Sequence, residues 1–152
     1  MENKPKPMGE FTRRFQREKA NRAVSPDEEK NARKAFGEMK KLQGFIIERK
    51  EWLKQRFLGL EEEELKEGPE VGLSFKFAGD KNRPNAARLE FRCRDDEAHE
   101  NIFLECTIEI TGKPATGEHV AFPVERVNEA EAKKFIQDKI FSFVKAYPSG
   151  KN

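Results

Sequence analysis

Two stretches decide the fold: Arg88-Leu89-Glu90-Phe91-Arg92-Cys93-Arg94, and Ile102-Phe103-Leu104-Glu105-Cys106-Thr107-Ile108-Glu109-Ile110. Successive side chains of a strand point to opposite faces, so each stretch reads as β-structure. Leu89, Phe91 and Cys93 share one side with Ile102, Leu104, Cys106, Ile108 and Ile110; the arginines and glutamates take the other. Like charges placed directly opposite one another destabilise a pair of strands. The register that sets Arg92 against Glu105, Arg88 against Glu109 and Glu90 against Thr107 is therefore preferred to one shifted by two residues. It places Cys93 opposite Leu104 and Cys106 opposite Phe91, with a short turn around 97–100 and no disulfide between the thiols.

Working outward, Val71, Leu73, Phe75 and Phe77 form the inward set of a preceding strand, and Val120, Phe122 and Val124 that of a following one. Pro123 marks the latter as an edge or a bulge, because proline cannot donate to a ladder. Ser25-Pro26-Asp27-Glu28 is a helix start, with Ser25 as cap and Pro26 in the first turn. The apolar stripe Ala32, Ala35, Phe36, Met39, Leu42, Ile46, Leu53, Phe57 and Leu60 follows at helical spacing. It predicts a helix over about 26–66, either kinked near Gly44 or Gly59 or with part of it projecting to pair with another helix, and stopped by Gly68-Pro69. Asn128, with Glu131 three residues on, caps a final helix over about 129–147 with the stripe Ala132, Phe135, Ile136, Ile140, Phe143, Val144 and Tyr147. The expectation is an α+β domain of two layers, in the order α-β-β-β-β-α. A four-stranded antiparallel meander over about 71–125 is covered on one face by the long first helix and the C-terminal helix.

The chain of 152 residues suits one domain, here 25–152, preceded by an arm over 1–24. Charged residues make up 38% of it, yet thirteen Phe fall mainly within the periodic segments, so a core is available. The net charge of +2 divides unevenly: the arm holds seven bases against three acids, leaving the domain with a small negative surplus. The arm begins with Pro5, Pro7 and Gly9 among charges and is expected to be largely disordered. Its piece Glu10–Arg22, with Phe11 and Phe15 four apart, is too short to hold a helix alone and would order only against something. No run reaches the roughly 18 apolar residues of a membrane span, and a secretory stretch is missing from MENKPKPMGE. A cytoplasmic protein is the expectation.

No motif for chemistry emerges. Cys93, Cys106, His99 and His119 have neither zinc spacing nor a catalytic partner at recognisable distance. Phosphate-cradling glycine loops are missing too. No catalytic residue, metal ligand or cofactor is therefore expected. Arg13-Arg14-Phe15-Gln16-Arg17 resembles the RRxxR arm of PilZ domains, which implies arginines holding the phosphates and bases of cyclic di-GMP. The [DN]xSxxG strand motif of that family does not follow it here.

Two surfaces are left for function. The long helix has surplus length, with Ile47, Trp52 and Leu58 off its stripe, and exposed apolar helix faces usually meet a partner. A non-catalytic interaction or adaptor module is the leading reading, associating with itself or with a protein partner through Phe36, Met39, Ile46, Trp52, Leu53 and Phe57. The alternative is nucleic-acid or nucleotide binding by the arm through Arg13, Arg14 and Arg17 with Lys4 and Lys6, since guanidinium forks suit phosphate.

Overall fold

In the computed structural model, which describes residues 9–18, 25–65 and 70–148 (with side chains from 9–15 in the first segment), one antiparallel sheet carries helices on one face. The helices are α1 (Glu10–Glu18), α2 (Pro26–Ile47), α3 (Lys50–Arg56) and α4 (Glu129–Ala146). The strands are β1 (Glu61–Leu65), β2 (Val71–Phe77), β3 (Ala87–Asp95), β4 (Asn101–Ile110) and β5 (Thr116–Pro123), paired in sequence order. A 3-10 turn, Val124–Arg126, leads into α4. The class is α+β as expected, but the sheet has five strands rather than four.

The expected register is the observed one: Arg92 pairs with Glu105, Arg88 with Glu109, Glu90 with Thr107 and Cys93 with Leu104. Both helix starts are also as read, with Ser25 accepting from the Glu28 N–H at 3.1 Å and Asn128 from the Glu131 N–H at 3.0 Å.

The long first helix is not formed. Its path breaks at Glu48-Arg49, runs on as α3, and stops at Phe57, beyond which Gly59 takes φ +90°. Gly44 lies inside α2 without breaking it. Gly59 turns the chain back, and Glu61–Leu65 pairs with β2 as a fifth strand, Glu62 beside Phe75 and Glu64 beside Leu73. Strand residues alternate in facing, so Glu62 and Glu64 point toward the helices. Lysines meet them there: Lys50 and Lys54 lie 3.1 and 3.0 Å from Glu62, and Lys40 lies 3.3 Å from Glu64. Burial opposes ionisation of Glu62, but the bonds from the two lysines outweigh it and hold the carboxyl below its ordinary pKa. The four-glutamate run therefore ends a helix-like stretch as a strand because β2 offers unpaired backbone and α2–α3 offer cations. The proposed stop at Gly68-Pro69 lies outside the described residues.

Within the arm, Glu10–Glu18 is helical and leans on α2 through Phe11 and Phe36, whose rings lie 5.6 Å apart, which is the support that so short a piece requires. Phe11 and Phe15 stack at 5.2 Å as their spacing suggests.

Between the layers, Phe57 touches three rings: Phe77 at 5.7 Å, Phe143 at 5.4 Å and Tyr147 at 5.9 Å. The Tyr147 hydroxyl donates to the Asn85 carbonyl, fastening the end of α4 to the loop between β2 and β3. Gly72 marks the tightest approach in the sheet, since a Cβ there would lie 2.0 Å from the Phe91 carbonyl oxygen. The atom it would strike belongs to the β3 backbone, so only a shift of β2 against β3 could relieve the clash. Gly72→Ala is expected to cost at least ~2 kcal/mol in urea unfolding. Gly117→Ala, whose Cβ would meet nothing closer than the Cys106 carbonyl oxygen at 4.0 Å, should stay within about 0.5 kcal/mol of the parent. Equal stability of the two variants would show that β2 and β3 are not packed this closely.

Candidate interaction surface

Sequence reasoning named six residues of the first helix, and the structure separates them by facing. Met39, Ile46, Leu53 and Phe57 are buried under the helices against the sheet, where they have no surface to offer a partner. Phe36 is half-buried beneath α1. Trp52 alone is open, at 40% exposure. The physical reason is the width of the sheet-facing stripe: residues spaced three and four apart fall on the core side, and those a third of a turn away face out.

Ile47 and Leu58, the off-stripe residues, are also exposed, at 46% and 79%. Phe141 of α4, at 47%, was not foreseen. Its ring meets Trp52 edge-to-face at 6.3 Å. The signal that could have found it is its place between Ile140 and Phe143, off the α4 stripe in the same way that Trp52 is off the first. The contact is one rung of a seam where α2–α3 and α4 run side by side. The Lys133 ammonium lies 4.7 Å above the Phe45 ring, Arg49 donates to Gln137 at 3.4 Å, and the Arg56 guanidinium sits 5.2 Å from the Trp52 ring.

The outer face of the sheet is different in kind. Its arginines are matched to glutamates: Arg88 to Glu90 and Glu109, Arg92 to Glu90 and Glu70, and Arg94 to Glu105. Lys76 reaches Glu63 at 3.6 Å. The bond to Glu109 outweighs partial burial and raises the Arg88 pKa further. Such a lattice of paired charges leaves little field for a phosphate backbone.

Of the basic residues of the arm, Arg14 is 2% exposed and bound internally. Its guanidinium donates to the carbonyls of Leu65, at 2.7 Å, and Glu70, joining the end of β1 to the residue before β2. It also pairs with Glu10 at 2.7 Å, and Glu10 pairs with Lys40 at 3.1 Å. Arg13 faces solvent. Lys4, Lys6 and the Arg17 side chain lie outside the described residues. The RRxxR segment is thus a turn of helix whose second arginine closes the fold.

The histidines do not converge. His119 lies on the outer sheet face, its ring 6.4 Å from that of Phe103. His99 is 4% exposed in the turn between β3 and β4, at φ +58°, with Nδ1 2.5 Å from Asp95 Oδ2 and Nε2 3.9 Å from Glu28 Oε2. A histidine beside a buried carboxylate is a catalytic pattern, but the space it faces measures about 20 Å³ between Phe11, Phe15, Phe36 and Met39. That is room for roughly one water. Cys93 and Cys106 line the core, and burial pushes both thiols up to about 12.

Two outcomes follow from these contacts. Arg14→Ala should remove about 2–4 kcal/mol by stranding two carbonyls and freeing α1, seen as faster amide exchange over 10–15. Arg14→Lys should fail to restore protection, because an ammonium lacks the fork that spans both carbonyls. Unchanged exchange in both would mean that α1 is held by something else. Separately, a disulfide reagent at about pH 8 should leave both thiols unmodified until urea unfolds the chain; rapid labelling of the native protein would contradict their burial.

Among the described residues, no three His, Cys, Asp or Glu side chains gather as a metal site, and no helix is long and apolar enough to cross a membrane. Compared with protein-family models, with curated proteins and with solved structures, the chain matches none.

Proposed function

We propose that this chain is a non-catalytic interaction module that receives a protein partner on the seam between α2–α3 and α4, with Trp52 and Phe141 as anchors. One observation carries the reading. Two large aromatics stay nearly half exposed, on separate helices, while packed edge-to-face at 6.3 Å. Rings held this way have already lost most of their rotamer freedom, so a partner that covers them meets a smaller ordering cost. Tryptophan is also the residue type most enriched among interface residues that dominate binding.

Nucleic-acid binding by the arm has weaker support. Arg14, central to that reading, is committed to the Leu65 and Glu70 carbonyls, and the arginines of the sheet face are paired with glutamates.

A photo-crosslinking amino acid at Gln137, which lies on the seam and is exposed, tests the reading in the native cell. A discrete protein adduct is expected from position 137 and none from the same group placed at Thr107 on the sheet face. Adding Trp52→Ala should reduce the adduct by about 30-fold, the loss of roughly 2 kcal/mol typical of an anchoring aromatic. Adducts from Thr107 alone, or from neither position, would reject the seam as an interface.

A further inference from the structure

The cations of the seam are organised unlike those elsewhere on the molecule. On the sheet face Arg88, Arg92 and Arg94 each hold a glutamate, and at the sheet margin Lys40, Lys50 and Lys54 do the same. On the seam, the Arg49 side chain bonds the neutral Gln137 and, among the described residues, no carboxylate, while Arg56 and Lys133 rest on the rings of Trp52 and Phe45. Lys145, one helical turn beyond Phe141, is likewise exposed. Lys134 and Asp138 pair with each other at 2.9 Å and cancel. Glu48 and Glu51 on the same stretch of α2–α3, and Glu129 one helical turn before Lys133 on α4, are the acids of the seam, so four cations face three carboxylates. A positive surplus therefore surrounds the exposed aromatic pair.

We propose that the occupant of this seam is an acidic amphipathic protein segment whose apolar side chains cover Trp52 and Phe141 while its carboxylates meet Arg49, Arg56 and Lys133. The inference rests on the interaction reading above and specifies its partner. Charge complementarity selects the sign: guanidinium and ammonium groups without a carboxylate of their own gain most from an incoming one, and such matching speeds encounter and rejects wrong partners. A second copy of this chain is a poor occupant. A twofold pairing of the seam presents the same patch to itself, bringing Arg49, Arg56 and Lys133 toward their own copies. Single-stranded nucleic acid also fits less well. Stacking platforms offer flat ring faces to successive bases, whereas Trp52 is already covered on one side by Arg56 and meets Phe141 edge-to-face.

The test titrates the full chain with a designed helical peptide of about 20 residues, leucine at i, i+3, i+4 and i+7 and glutamate elsewhere, beside a lysine version, a uridine oligonucleotide and light scattering of the chain alone. The glutamate peptide is expected to bind at least ~10-fold tighter than the lysine peptide, and more weakly as salt rises. The triple variant Arg49→Glu, Arg56→Glu, Lys133→Glu should reverse that preference, and Trp52→Ala should abolish binding of both. Circular dichroism confirms that the variants fold; the milder Arg49→Gln, Arg56→Gln, Lys133→Gln set, which should erase the preference without reversing it, replaces any that does not. Equal or tighter binding of the lysine peptide overturns the proposal, as does a Trp52-dependent complex with the oligonucleotide or a dimer dissolved by Trp52→Ala. If neither peptide binds while the Gln137 adduct persists, the acidic partner is rejected and the interaction reading survives. Loss of the adduct as well rejects both.

Discussion

The pairing of β3 with β4 is the constraint on which the molecule rests. Its register sends leucine, isoleucine, phenylalanine and cysteine to one face and arginine and glutamate to the other, and a slip by one residue would invert every side chain. Once that face is oily it must be roofed, and α2, α3 and α4 are the roof. Phe57, at the end of α3, ties the roof together by touching a ring from β2 and two from the last turns of α4 and its cap. The arm then closes the remaining corner through Arg14.

The separation of charge follows from the same division of faces. Where strands lie side by side, cross-strand neighbours stand close enough for arginine and glutamate to neutralise each other, and the sheet face becomes a lattice of ion pairs. Helix surfaces do not impose that pairing. The seam between α2–α3 and α4 joins positions remote in sequence, and its cations settle on rings and on an amide instead. Exposed tryptophan and uncompensated cations thus coincide in a chain where most charges have a partner.

Much of the fold was legible because it is written in short-range patterns. Period-two alternation located four strands, opposed charges chose the register of two of them, and Ser25 and Asn128 marked helix starts. The misreadings share a cause, which is tertiary pairing acting against local preference. Four consecutive glutamates have little tendency to form a strand, and nothing near them in the chain reveals that β2 has an unpaired edge or that lysines of α2 and α3 wait above. Arg14 looked like a phosphate ligand because its carbonyl partners lie some fifty residues away. The candidate site was half legible: Trp52 stood out by falling off its stripe, but which stripe residues would be buried, and that Phe141 would meet Trp52, depended on how the helices align.

The margins of the sheet carry a further consequence. β1 turns Glu62 and Glu64 inward, and β5 turns Glu118 inward to Lys139. A strand from another molecule that tried to extend the sheet at either border would have to lay its own side chains beside these carboxylates and break their lysine bonds. Open ribbons normally template such growth into fibrils, and charges aimed toward the interior are a known means of preventing it. The chain can therefore display a greasy aromatic pair on its roof without its open borders inviting strand-by-strand aggregation.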